Sequence, residues 1–243
     1  MVKIKYYQNL GKKLNEKKRK NLIAQLRTLG YACFEKLPEY QCFAFDCDFK
    51  RHVIAIAYDR KKIVGFCSAL KLTDEWGENF LHLGLTCVHP HYRGMGLTHK
   101  LAGRLTTEYL IRNSLFGKVW FSNVAGVISS LANVGKNLDQ VYPSLKVYYP
   151  TKKHLAIAES INRRYRNLIY IGDQYKFDKE KFIFYGSGKQ DSCFEKRSND
   201  TKYHHRDPKL NQFYLNILNL DQGDEMLQVG NYSIFTLLRY LKK

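Results

Sequence analysis

The chain has 243 residues, 44% of them hydrophobic, enough to bury a substantial core in one elaborated domain spanning 1–243. Forty Lys plus Arg against 22 Asp plus Glu give a formal charge of +18, which favours an anionic partner at the surface. No run approaches the roughly 20 apolar residues of a membrane span, and Met1 to Tyr7 lacks the apolar core of a secretion signal, so the expectation is a cytoplasmic protein without a transmembrane segment.

Leu10, Leu14, Leu22, Ile23 and Leu26 recur at helix spacing among lysines, and Gly30 stands as the stop of a helix over 10–29. Apolar runs follow at 41–45, 52–58 and 63–70, the last two reading as a hairpin across Asp59-Arg60-Lys61-Lys62. Six cysteines (33, 42, 47, 67, 87 and 193) fall mostly in such runs without Cys-x-x-Cys spacing, which points to buried free thiols and no metal; Cys33, Cys42 and Cys47 form the alternative ligand set.

The most informative stretch is Val88-His89-Pro90-His91-Tyr92-Arg93-Gly94-Met95-Gly96-Leu97-Thr98. An apolar strand over 80–88 precedes it, stopped by Pro90, and Leu101, Leu105, Tyr109 and Leu110 continue it at helix spacing. Glycines at 94 and 96 free main-chain N–H groups to point into the turn, and the helix adds its unpaired amides and positive dipole end, an arrangement that binds pyrophosphate.

Strand, turn and helix together resemble the acetyl-CoA motif of the GNAT superfamily of N-acetyltransferases, Val-x-Pro-x-Tyr-Arg-Gly-x-Gly-Ile/Leu-Gly/Ala, which every fixed position from Val88 to Leu97 matches; Thr98 departs from the usual small residue. The resemblance implies an α/β GNAT acyl-CoA N-acyltransferase fold, a mixed central sheet with splayed strands flanked by helices. Its core would occupy about 10–150, with a C-terminal extension over about 150–243. It also implies acetyl-CoA as co-substrate. The main chain of Thr86, Cys87 and Val88 would bond the pantetheine arm, and Arg93, Gly94, Met95, Gly96, Leu97, Thr98 and His99 would hold the pyrophosphate. Lys100 and Arg104 are either ribose-phosphate contacts or solvated helix residues.

In histone-type members of that family a glutamate on the strand before the turn acts as base; here the strand offers His82, whose unperturbed pKa of ≈ 6.5 suits proton abstraction near neutrality. The competing reading is a histidine that only hydrogen-bonds within the sheet. Asp74, Glu75 and Glu78 precede the strand, Glu78 being closest to its entrance and so the second catalytic candidate. A strand over 118–123 and a helix over 127–138 come next, where Asn123 fits the family's coenzyme-binding asparagine. Ser130, beside Ser129, stands where the family's thiolate-protonating tyrosine is expected; Tyr142, Tyr148 and Tyr149 are the replacements within reach in sequence.

Beyond 140 the pattern offers a helix around 156–161, a strand at 181–185, a polar loop over 186–209, a helix from Asp207-Pro208 through Leu218, and a last strand and helix over 226–240 entered by a turn at Gly223-Asp224-Glu225. The leading functional reading is an acetyl-CoA-dependent N-acetyltransferase acting on a primary amine of a protein, peptide or small molecule; the charge left over from coenzyme A suits an acidic protein or peptide, an RNA or a membrane surface, or is a solvated basic face that serves solubility. The alternatives are a GNAT module that holds coenzyme A without chemistry, and an acyltransferase or binder acting on RNA. Lys12, Lys13, Lys17, Lys18, Arg19 and Lys20, with Arg163, Arg164 and Arg166, are basic without forming a nucleic-acid motif.

Overall fold

The computed structural model describes residues 2–191 and 195–241, so Cys193 lies outside the described residues. The fold is mixed α/β, with mostly antiparallel strands flanked by helices. It divides into two compact units: residues 1–72, 81–118 and 233–243 form the first, and residues 73–80 and 119–232 the second.

In the first unit, β1 (Val2–Gln8), β2 (His52–Asp59), β3 (Lys62–Thr73) and β4 (Asn79–Val88) lie side by side in that order; Thr73 and the first two residues of β4 belong to the second unit. β1 pairs antiparallel with β2 from Val2 opposite Asp59 to Gln8 opposite Val53. β2 and β3 form the expected hairpin, its turn using Arg60 at φ +54°.

The first helical pattern is broken in two. α1 (Leu10–Lys13) ends at an extended Leu14, and α2 (Glu16–Tyr31) restarts at Asn15, whose side chain accepts the Lys18 N–H at 3.0 Å. α2 runs through Gly30, which does not stop the helix: a Cβ there would sit 2.5 Å from Leu37 Cδ1 and 2.9 Å from Phe43 Cζ, so the glycine permits close packing. Ile23, Leu26 and Leu29 on its inner face join Phe43, Phe49, Ile54, Ile56, Phe66 and Cys87 in one core. Each such side chain contributes about 1.5–3 kcal/mol when fully buried. The run at 41–45, strand-like in sequence, forms a short 3-10 helix at Gln41–Phe43, with Gln41 at φ +47°.

α3 (Leu97–Asn113) packs over β1 and β2, and α7 (Ile234–Leu241) packs on α3. Gly65 lets α3 come down on the strands, because a Cβ there would lie 3.1 Å from Leu101 and 3.4 Å from Leu97.

In the second unit β5 (Val119–Ala125) pairs antiparallel with β9 (Glu225–Tyr232), which also takes β6 (Asp139–Tyr142) and the two-residue β8 (Ile183–Phe184); β7 (Phe177–Asp178) pairs with β8. The strand expected over 181–185 is thus reduced to two residues. α4 (Ile128–Asn137) and α6 (Pro208–Leu215) share a core with Ile183, Leu218, Leu220 and Met226. α5 (Lys152–Ser160) starts earlier than the sequence pattern indicated, at a capping box in which Thr151 and His154 hold one another, and continues as a π-helical turn over Ile161–Tyr165. The polar 186–209 stretch contains 3-10 turns at Ser187–Gln190 and Thr201–Tyr203.

Candidate functional site

β4 ends at Val88, and the chain leaves the sheet through His89, whose N–H donates to Val64 O at 3.0 Å. Pro90–Tyr92 forms one 3-10 turn, the fixed φ of proline suiting its first position. Tyr92 N–H returns to His89 O at 2.8 Å and Arg93 N–H to Pro90 O at 3.1 Å. Gly94 (φ +77°) and Gly96 (φ +69°) then carry the chain through the left-handed region into α3. Nothing lies within 4 Å of a Cβ built on either, so backbone conformation alone demands glycine there.

Gly96 caps α3 without a side-chain hydrogen bond, and the first turn of α3 holds no acidic residue. The amides entering α3 therefore keep the unpaired donors and the positive dipole end that suit an anion. Arg93, Gly94, Met95, Gly96 and Thr98 are exposed, His99 is half-buried, and Leu97 is buried as the anchor of the helix start. Two bonds fix the turn from below. Tyr92 Oη donates to Asp59 Oδ2 at 2.7 Å, which pushes the Tyr92 hydroxyl pKa up and holds the Asp59 carboxyl down, and Arg93 Nε donates to Val88 O at 3.4 Å. Asp59 carries no motif signal in sequence beyond its place at the end of a strand.

Cys87 and Val88 are buried and Thr86 is exposed with its hydroxyl 3.2 Å from Cys67 Sγ. The Cys33 thiol, in the turn after α2, donates to Val88 O at 3.4 Å. The Cys87 thiol hydrogen-bonded to Cys33 draws the Cys33 pKa down to about 6, against the raising effect of partial burial and with further help from the Arg93 guanidinium; Cys87 is pushed well up by the same neighbour and by burial.

His82 lies on β4, 1% exposed, and desolvation lowers its pKa to about 3. That departs from the ordinary imidazole value assumed from sequence, because the alternation that placed it on one strand face could not show that this position is enclosed while Thr86 on the same face is exposed. His52, also buried, is lowered to about 4 by the same cause.

In the second unit Asp74, 2% exposed, accepts the Trp76 and Glu78 N–H groups at 3.0 and 2.9 Å and the Lys153 ammonium at 2.5 Å. Glu78 pairs with the same ammonium, which also sits over the exposed Trp76 ring. The two carboxylates outweigh partial burial and raise the Lys153 pKa. Glu75 is exposed. Asn123, on β5 opposite Gln228, is buried with its Nδ2 lacking a hydrogen-bond partner. Ser129 and Ser130 are half-buried in the first turn of α4. Tyr142 Oη donates to Glu180 O at 2.5 Å, whereas Tyr148 and Tyr149 are exposed. On α3, Arg104 pairs with Glu108 at 2.8 Å and Lys100 is exposed.

Among the described residues no group of three or more His, Cys, Asp or Glu side chains could hold a metal, and no helix is long and apolar enough to cross a membrane. A cavity of about 610 Å³ lies between α2 and the β1–β2 pair, lined by Tyr7, Leu14, Leu22, Ile56 and Tyr58 with Lys17 and Lys18, and by none of the site residues expected from sequence.

No curated protein matches the chain. Solved structures similar to it include Escherichia coli ElaA (17% identity, 59% of this chain and 93% of that one, TM-score 0.41). Others are an acyl-CoA N-acyltransferase from Pseudomonas aeruginosa (17%, 50% and 79%, 0.33) and glucosamine-6-phosphate N-acetyltransferase from Arabidopsis thaliana (19%, 46% and 76%, 0.31). At such identities and scores the likeness carries no substrate to this chain. Residues 22–126, which include β2 to α3 and the whole 88–98 turn, match the model of the acetyltransferase (GNAT) family.

Proposed function

We propose that the protein is an acetyl-CoA-dependent N-acetyltransferase that moves an acetyl group to a primary amine of a protein, peptide or small molecule. The observation that carries this reading is the exposed turn between β4 and α3, with two left-handed glycines and a helix start lacking both a side-chain cap and an acidic residue. Such a turn fits a pyrophosphate, and the amides from Gly94 to His99 would hold it, with Arg93 adding charge. The main chain of Thr86, Cys87 and Val88 is assigned to the pantetheine arm. The buried, unpartnered Nδ2 of Asn123 supports its reading as a donor to the coenzyme.

Acetyl-CoA supplies an activated acyl group as a thioester. The chain's part is to hold that carbonyl against an uncharged amine; the new C–N bond forms as the C–S bond breaks, and the amine's proton leaves while coenzyme A departs as a thiol. Holding two reactants in one geometry supplies on the order of 7–11 kcal/mol in the best cases, more than a general base contributes at about 10²- to 10⁴-fold. His82, uncharged and enclosed, and Glu78, bound to Lys153, are both weak candidates for proton abstraction in this arrangement. Catalysis by positioning is therefore the reading we adopt. The +18 charge suits an anionic acceptor, and an acidic protein or peptide ranks ahead of RNA because the basic residues form no nucleic-acid motif.

The absence of a free, ordinary base at His82 and Glu78 also favours one second reading, a module that binds coenzyme A without turnover. A thiol-release assay with acetyl-CoA across small amines, acidic peptides and tRNA, run beside calorimetric titration of coenzyme A, decides. Turnover on any acceptor establishes the enzyme, micromolar binding with no acceptor leaves the module, and no binding sinks both.

A further inference from the structure

The cavity of about 610 Å³ between α2 and the β1–β2 pair lies wholly within the first unit, and no residue of the 88–98 turn lines it. Its wall is mainly aliphatic: Leu10 from α1, Leu14 from the break between the two helices, Leu22 from α2 and Ile56 from β2. Leu10 and Ile56 are buried whereas Leu14 and Leu22 are half-buried, as befits apolar side chains around a space that opens to solvent. Tyr7 and Tyr58 complete the strand side with their hydroxyl oxygens 3.4 Å apart, so the two polar atoms of that wall partner each other.

The charged part of the lining has one sign. Lys17 and Lys18, both exposed on the first turn of α2, supply ammonium groups; the other polar lining groups are neutral amides, and among the described residues no acid lines the cavity. Glu16 is the sole acid between Leu10 and Tyr31, and it pairs with Lys20. Among the described residues neither Lys17 nor Lys18 has a carboxylate partner. The field beside the cavity is therefore positive and uncompensated.

An aliphatic space with cations and no acid in its lining complements an apolar chain that ends in an anion. Its volume falls within the roughly 300–1,000 Å³ of small-molecule sites, which are mostly apolar with a few polar groups that fix orientation. A peptide laid there would set its backbone N–H and C=O groups against leucine and isoleucine, which offer them no partner. We propose that this cavity binds a single-chain fatty carboxylate, its alkyl chain against Leu10, Leu14, Leu22 and Ile56 and its carboxylate at Lys17 and Lys18. Removing the chain from water drives binding, and the ammonium groups choose the end that stays wet. Neither part uses the 88–98 turn, so the site is independent of acetyl transfer, and its ligand is held beside coenzyme A and not in its place.

The test is calorimetric titration of the full chain with octanoate, decanoate and dodecanoate, each below its micelle threshold, beside decanol and decylammonium. One site is expected, with each added CH₂ tightening binding by up to about fourfold. Decanol should bind about tenfold more weakly than decanoate, and decylammonium more weakly still. Lys17→Gln with Lys18→Gln should bring decanoate down to the level of decanol. Lys12→Gln with Lys13→Gln, outside the lining, should leave it within about twofold at physiological salt. Leu22→Trp, at a half-buried position, should fill the space and abolish binding, with thermal unfolding reporting whether the variant is folded; the lysine pair, being exposed, carries the test where it is not. Coenzyme A added to the cell should leave decanoate affinity unchanged. Displacement of decanoate by coenzyme A overturns the proposal, and so do decanol binding as tightly as decanoate, no binding of any chain, or binding to anionic phospholipid vesicles without binding to free decanoate.

Discussion

Tyr92 donates its hydroxyl to Asp59 Oδ2 at 2.7 Å, and this bond ties the middle of the 88–98 turn to the end of β2. Without it the turn would rest on its backbone bonds, on the Arg93 Nε contact to Val88 O and on Leu97 beneath it. Tyr92→Phe and Asp59→Asn should each weaken coenzyme A binding by about threefold, as expected for an exposed charge-assisted contact. The double variant should do no worse than either alone, because both remove one contact. Calorimetry on the four proteins checks this; additive losses would mean that Asp59 and Tyr92 act separately.

Gly94 and Gly96 stand at positive φ with open space where a Cβ would go. Alanine at either therefore meets no clash, and the cost is conformational, roughly 1–2 kcal/mol per left-handed residue. Gly94→Ala and Gly96→Ala should lower unfolding free energy by that amount and weaken coenzyme A binding by about tenfold or more, as the amides rotate out of the turn. Denaturant unfolding with titration of coenzyme A reads both. Full binding with lost stability would detach the turn from the ligand.

Legibility in the sequence followed the density of local constraint. The 88–98 turn was readable because proline, two glycines and a following helical pattern each force the backbone, and α3 and the β2–β3 hairpin emerged for the same reason. β1 escaped notice although Val2, Ile4 and Tyr6 alternate with Lys3 and Lys5, since a short strand studded with lysines looks like a polar terminus. Gly30 misled because a glycine after a helical pattern usually caps it, whereas here Leu37 and Phe43, distant in sequence, need its missing side chain. At the site, residue types were visible and partners were not. Nothing local announces that the Cys33 thiol reaches the Val88 carbonyl, that Lys153 reaches Asp74 and Glu78, or that His82 is enclosed.

Lys153 neutralises Asp74, whose carboxylate is almost fully enclosed while also accepting two backbone N–H groups. Lys153→Met leaves that charge without its cation and should cost about 3 kcal/mol of unfolding free energy. Glu78 is a different case, since its carboxylate is 66% exposed and water can replace the ammonium. Glu78→Gln should change stability by under about 1 kcal/mol. Under the positioning mechanism it should also leave kcat within a few-fold. A thousandfold fall in kcat at unchanged KM would instead return Glu78 to the role of base.

His82 and His52 give the protein a defined weakness toward acid. Both are buried, and desolvation lowers them to about 3 and about 4 in the folded chain, while in the unfolded chain each titrates near 6.5. Above pH 6.5 both states hold the imidazoles neutral, so neither residue makes stability depend on pH. Below it the unfolded chain binds protons that the folded chain refuses, and the folded state loses about 1.4 kcal/mol per pH unit per histidine. The loss slows below about 4, where His52 begins to accept its proton in place, and it ends near 3 with His82. The histidine contribution to unfolding free energy, followed from pH 8 to pH 4, should therefore be flat at first and then fall steeply below about 6.5. His82→Gln should remove about 1.4 kcal/mol per pH unit from the slope in that window, whatever it does at pH 8. An unchanged slope would mean that β4 opens to solvent at His82, and the imidazole would then regain the ordinary basicity that acetyl transfer could use.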